Sequence, residues 1–163
     1  MNDSSILGLT WTKNATRYTV QYQTNTIQNG MDAPNLLEVA YVGFHSNYTP
    51  LQQFKNDIGL VQLKYPLESV VNFRVKLPMR YAYTATGTPS VLIGWGRNAT
   101  MGTRHDTLQK VDLQIYNTYD CAQIHDYPVF KTSICAGVPE GGKGQCSGDS
   151  GLYFTKSVIF KLN

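Results

Sequence analysis

The stretch Gly141-Gly142-Lys143-Gly144-Gln145-Cys146-Ser147-Gly148-Asp149-Ser150-Gly151 has the residue types of a chemical site rather than of a packed element. Five of its eleven residues are glycine, so much backbone freedom has to be frozen for it to take one shape. Runs of this kind serve where main-chain N–H groups must point at a partner. Ser150, set between an acid and a glycine, is chemically quiet on its own, because a hydroxyl attacks only when a base takes its proton. The competing reading is a flexible Gly/Ser surface loop with no chemistry.

The elements that would hold such a stretch read as short strands. Residues 17–23, Arg-Tyr-Thr-Val-Gln-Tyr-Gln, alternate with the two-residue period of a half-buried strand. Leu37 to Phe44 forms a second, after a polar loop at Asn29-Gly30, and Asp57 to Leu63 an aliphatic third, stopped by Pro66. Val70 to Leu77 carries little periodicity and reads as a connector, with Pro78 after it. In the second half, Pro89 to Gly96 is a buried-looking strand closed by glycines. Leu108 to Ile115 is another, with Val111, Leu113 and Ile115 on one face. Asn117 to His125 fits one or two helical turns around Cys121, and Ser133 to Gly137 a short strand leading into the glycine-rich stretch. Many short strands punctuated by Gly, Pro and Asn predict an all-β fold.

At 163 residues, the chain has room for one domain with a core or two small packed halves. A hydrophobic share of 42% and a charged share of 15% mark it as globular. The net charge of +3 is small and its Lys and Arg are dispersed, which argues against nucleic acid as a partner. No apolar run is long enough for a membrane-spanning helix, and Met1-Asn2-Asp3-Ser4 lacks the basic-then-apolar order of a signal peptide. Four N-x-[ST] sequons, at Asn2, Asn14, Asn47 and Asn98, nonetheless point to an extracellular glycoprotein, although Pro50 weakens the one at Asn47. Cys121, Cys135 and Cys146 make an odd count, which in a secreted chain means one disulfide and one orphan thiol.

Four motifs, in order, carry a resemblance: Asn56-Asp57-Ile58-Gly59-Leu60, Gly94-Trp95-Gly96, Ile134-Cys135-Ala136-Gly137 and Cys146-Ser147-Gly148-Asp149-Ser150-Gly151. Together they resemble the chymotrypsin-like serine proteases. The resemblance implies two packed antiparallel β-barrels with the active site in the cleft between them. It makes Ser150 the nucleophile, Asp57 the aspartate that orients the base, and the N–H groups of Gly148 and Ser150 the oxyanion hole. Loss of one such donor typically costs on the order of 3 kcal/mol of transition-state stabilisation.

By the same resemblance, Asp149 pairs with a new N-terminal ammonium after zymogen cleavage, and Cys121 and Cys135 form a disulfide. Gly144 stands where the trypsin branch has an aspartate at the base of its primary specificity pocket, so preference for Lys or Arg side chains should be lost. The chemistry implied calls for no metal or cofactor. The partners expected are a protein or peptide substrate, or protease inhibitors, with no nucleic acid or membrane, and the chain should be a monomer.

The family's order is His, then Asp, then Ser, with the histidine in an Ala-Ala-His-Cys context. Neither that context nor an Ile-Val-Gly-Gly-like start is present. His105 and His125 follow Asp57, and His45 sits in Phe44-His45-Ser46-Asn47-Tyr48, which resembles a surface segment instead. Asp149 is thereby left without an evident partner, and Cys146 unpaired. The expected fold is an incomplete double barrel: a partial protease domain over 1–151, with its first barrel at about 1–70, connector at about 70–88 and second barrel at about 89–151, then a divergent tail at 152–163. Both barrels should lack strands and present open edges. The expected function is that of a serine endopeptidase by family, inactive as this chain stands. The alternative is a non-catalytic homologue that binds a protein or inhibitor.

Overall fold

The computed structural model describes residues 9–13, 15, 17–28, 33–49, 55–67, 77–124, 129–130, 132–151, 153–155 and 159–160. The chain divides into two compact units, Met1–Phe73 with Asn163, and Arg74–Leu162. The helix and strands of both are as the turn-rich sequence demands: nearly everything regular is strand.

The first unit is built on one long strand. β3 (Leu36–His45) is flanked by β1 (Leu9–Lys13) and β2 (Thr19–Gln21), and also carries β4 (Gly59–Leu63), all antiparallel. A register shift between Val39 and Tyr41 bends the β3–β4 pairing, as an added residue on one strand does. Val39 and Ala15 are the buried apolar residues described here. Glu38 Oε2 holds the Lys64 ammonium at 2.6 Å, and that bond is the first cause raising the lysine's pKa above its ordinary value.

β4 lies within the stretch expected as the third strand. Its aliphatic sequence suggests burial, yet Leu60 and Val61 are 41% and 53% exposed. Among the described residues β4 pairs only with β3, so one sheet edge is open and little covers its side chains. β1 was not foreseen in the sequence, although Leu9-Thr10-Trp11-Thr12 alternates in the way a strand requires.

The second unit is a five-stranded antiparallel sheet. β5 (Pro89–Gly94), β6 (Gln109–Tyr116), β7 (Cys135–Gly137), β8 (Tyr153–Thr155) and β9 (Ile159–Phe160) run in the order β7-β6-β5-β8-β9. β8 and β9 lie in the stretch expected to be a divergent tail, and they pair onto β5 and each other. Leu92, Leu113 and Ile115 form the core, with Val111, Ile134, Ala136 and Val138 packed against it. Two of the three residues assigned from the sequence to one face of β6, Leu113 and Ile115, are buried.

One helix, α1 (Thr118–Ile124), follows β6. It starts at Asn117 because that side chain accepts the Asp120 N–H at 2.8 Å, satisfying one of the donors a helix start leaves over. Cys121 on α1 is buried and disulfide-bonded to Cys135 on β7, with the two Cα atoms 6.3 Å apart. That pairing is the one the resemblance implied. The pairings in both units form open sheets, the pattern of an all-β fold with an incomplete double barrel. Residues 70–76 of the expected connector, the sequons at Asn2 and Asn14, and residues 152, 156–158 and 161–163 of the expected tail lie outside the described residues.

With so small a core, each member matters. Leu113→Ala should lower the unfolding free energy by about 2–4 kcal/mol, read as a fall in the urea midpoint followed by tryptophan fluorescence. A midpoint within error of the parent would mean that the cluster does not hold the second sheet.

Candidate active site

The turn at 146–151, where the nucleophile is expected, is held by one buried carboxylate. Asp149, 9% exposed, accepts the Gly96 N–H on Oδ1 at 2.8 Å and the Cys146 N–H on Oδ2 at 2.9 Å. The Asp149 N–H donates back to the Cys146 carbonyl at 3.0 Å, closing the turn, and the Arg97 N–H donates to the Ser147 carbonyl at 3.0 Å. Four hydrogen bonds thus join the turn to itself and to the end of β5. Two of them end on a charged acceptor, the stronger kind. The sequence left Asp149 without a partner; the structure supplies two backbone donors, which no side-chain motif announces.

Gly96 has a steric reason to be glycine. A Cβ there would lie within 2.6 Å of all three atoms of the Asp149 carboxyl group, and nothing on that side can yield except the carboxylate itself. Gly148 is constrained twice. Its φ of 100° lies where side chains are strained, and a Cβ would meet Gly96 Cα at 3.2 Å and Arg104 Nε at 3.3 Å. Gly144, by contrast, is exposed with open space around it.

Ser150 is exposed, next to Gly151 at φ 84°. Among the described residues, neither the Gly148 nor the Ser150 N–H is taken by an acceptor. The turn can therefore offer an exposed hydroxyl and two adjacent N–H donors. Cys146 is a free, half-buried thiol.

Asp57 lies in the first unit, half-buried, in a loop that is pinned locally. Asn56 takes a left-handed φ of 59°, its Nδ2 donates to the Asn47 carbonyl at 2.8 Å, and the Ile58 N–H donates to the Asn56 carbonyl at 2.8 Å. The same loop settles the role of His45. The ring Nδ1 accepts the Asn47 N–H at 3.0 Å, so its proton sits on Nε2. A base oriented by a carboxylate needs the opposite tautomer, with Nδ1–H donating. His45 thus caps its own turn through the Asn47 N–H.

His105 belongs to the second unit, with Nε2 enclosed and without a hydrogen-bond partner. His125 lies outside the described residues. Asn98 is exposed and Asn47 exposed, but the Thr49 hydroxyl of the latter's sequon is enclosed. No group of three or more His, Cys, Asp and Glu among the described residues could hold a metal, and no helix there is long and apolar enough to cross a membrane.

The contrast between two glycines gives a direct check. Gly96→Ala should cost about 1–3 kcal/mol of stability by forcing Asp149 off its donors, whereas Gly144→Ala should change it by less than about 0.5 kcal/mol. Equal urea midpoints for the two variants would contradict the packing described.

The chain's relatives bear on the same residues. The family model described as Trypsin matches residues 11–151. Trypsin-1 of Astacus astacus is 37% identical over 119 residues, which cover 71% of this chain and 48% of that protein. Anionic trypsin of Canis lupus familiaris is 37% identical over 109 residues, 66% of this chain and 43% of its own length. Serine protease 1 of Rattus norvegicus is 35% identical over the same length, with the same shares. The chain spans a little under half the length of these curated relatives. With the ordered motifs, the all-β units and the nucleophile turn held by Asp149, the match over 11–151 makes this chain a member of the trypsin family of chymotrypsin-like serine proteases.

Proposed function

We propose that this chain carries the aspartate, nucleophile and oxyanion hole of a serine endopeptidase, and that the proton-accepting histidine comes from residues outside it. What supports this reading is the hydrogen-bonded turn under Ser150, with Gly148 and Ser150 N–H groups left to accept a developing charge. In the reaction, the Ser150 Oγ adds to the carbonyl carbon of a peptide bond while its proton passes to the base. The carbonyl oxygen becomes an oxyanion held by the two N–H groups. The C–N bond then breaks, the departing amine takes the proton from the base, and an acyl ester remains on Ser150. Water, deprotonated by the same base, adds to the ester and releases the acid. Asp57 orients the base and offsets its positive charge.

The substrate is a protein or peptide, and with Gly144 at the pocket base it is not selected for Lys or Arg. Asp149 retains lone pairs for the N-terminal ammonium of zymogen activation. Secretion and N-glycosylation, at exposed Asn98 above the other sequons, belong to the same reading.

A second reading, a non-catalytic homologue that binds a protein or an inhibitor, is favoured by one observation: His45 Nδ1 is committed to Asn47. The readings part at the transcript. An in-frame segment upstream of Met1 encoding a histidine-cysteine motif supports the protease, and transcripts that begin at Met1 support the homologue.

Either way the chain alone has no base. It should not be labelled at Ser150 by a fluorophosphonate, and Ser150→Ala should behave as the parent, since losing the histidine of such a triad costs about 10⁶ in turnover. Stoichiometric labelling of the parent but not of Ser150→Ala would show a competent base and overturn this.

A further inference from the structure

Residues 77–83 of the second unit, Leu-Pro-Met-Arg-Tyr-Ala-Tyr, are exposed along their whole length, and Leu77, Met79, Tyr81 and Tyr83 among them carry large apolar side chains. Single apolar residues scattered over a surface need no explanation, but a contiguous exposed group of them marks an interaction site. The loop turns at its centre, where the Ala82 N–H donates to the Met79 carbonyl at 2.9 Å. Tyr81 is the third residue of that turn, at a φ of 62°, a conformation usually left to glycine or asparagine. Its side chain is 88% exposed, so no burial within the fold offsets that strain. The Arg80 guanidinium lies 5.0 Å from the centre of the Tyr81 ring, which keeps a cation beside the aromatic tip. Charge along this part of the chain has one sign: between Glu68 and Asp106 the sequence has no acid, while it has Arg74, Lys76, Arg80, Arg97 and Arg104.

We propose that the 77–83 loop is a contact site for an anionic lipid surface, with Met79, Tyr81 and Tyr83 entering the boundary between headgroups and acyl chains and Arg80 meeting the acidic headgroups. Tyrosine suits that depth because its ring is apolar and its hydroxyl is not, and methionine because its unbranched chain adapts to what it meets. A cation next to them is drawn to acidic headgroups and adds little on a neutral bilayer. A soluble polyanion would be met by the cations alone and would give no reason for the apolar side chains. The lack of a spanning run, from which no membrane partner was expected, does not bear on a loop that only lies in the interface. No bond is made or broken, so the contact holds whether or not Ser150 is competent.

The test is co-sedimentation of the whole chain, in low salt, with vesicles of phosphatidylcholine containing phosphatidylserine and with vesicles of phosphatidylcholine alone. Binding to the first, with much weaker binding to the second, is the expected result, and physiological salt should weaken it. Arg80→Gln should lower affinity for the anionic vesicles about fivefold, and Met79→Ser combined with Tyr83→Ser about tenfold. Tyr81→Gly should lower it about fivefold. That variant keeps the fold, because glycine takes the positive φ without strain, so its loss of binding is not a loss of folding. Tyr119→Ser, at an exposed position on α1, should leave binding unchanged. No sedimentation with anionic vesicles, equal binding to both kinds, an equal loss in Tyr119→Ser, or full affinity in Tyr81→Gly would overturn the proposal. Self-association that Tyr81→Gly abolishes, in place of vesicle binding, would make a second copy the occupant and overturn it as well.

Discussion

The two hydrogen bonds from Gly96 and Cys146 to the carboxylate of Asp149 are what the order of the 146–151 turn depends on. A carboxylate at 9% exposure is costly unless its oxygens find donors. Here the donors are main-chain groups from opposite ends of the unit's sequence, one at the end of β5 and one at the start of the nucleophile turn. Satisfying the charge therefore also fixes the turn against the sheet. The Gly148 backbone is held at a φ of 100°, its N–H and that of Ser150 have no acceptor among the described residues, and Ser150 is exposed. Gly96 is glycine because the carboxylate occupies the space of its Cβ.

Support for that constraint is thin elsewhere. The described core is a cluster of three buried residues with four partners, strengthened by the disulfide that ties α1 to β7. Both sheets are open, and Tyr81, Tyr83, Met79 and Met101 are more than 80% exposed. Among the described residues, then, the turn rests on a scaffold with few fully buried apolar side chains. Local hydrogen bonding carries more of the site's order than the hydrophobic core does. The same is true in the first unit, where Asn47, Asn56 and His45 fix the Asp57 loop through backbone partners.

Much of this was legible in the residues, and the limits have physical causes. β3, β5 and β6 were recognisable because their alternation reflects one covered face, and the family because its motifs stand in order along the chain. Cys121 and Cys135 pair as the resemblance implied. β1 gives only a five-residue alternation, too short to stand out, and the aliphatic content of β4 says nothing of whether a neighbour covers it. The partners of Asp149 could not be read because they are N–H groups, which every residue has. The tautomer of His45 was hidden for the same reason, its donor being the backbone of Asn47.

The account turns on Asp149 as the anchor of the nucleophile turn, and amide hydrogen exchange tests it most directly. In the parent, the Gly96 and Cys146 amides should exchange slowly, and Asp149→Asn should accelerate both by about tenfold or more, the equivalent of a charge-assisted hydrogen bond. Exchange of those two amides at free-peptide rates in the parent, or at unchanged rates in Asp149→Asn, would contradict it.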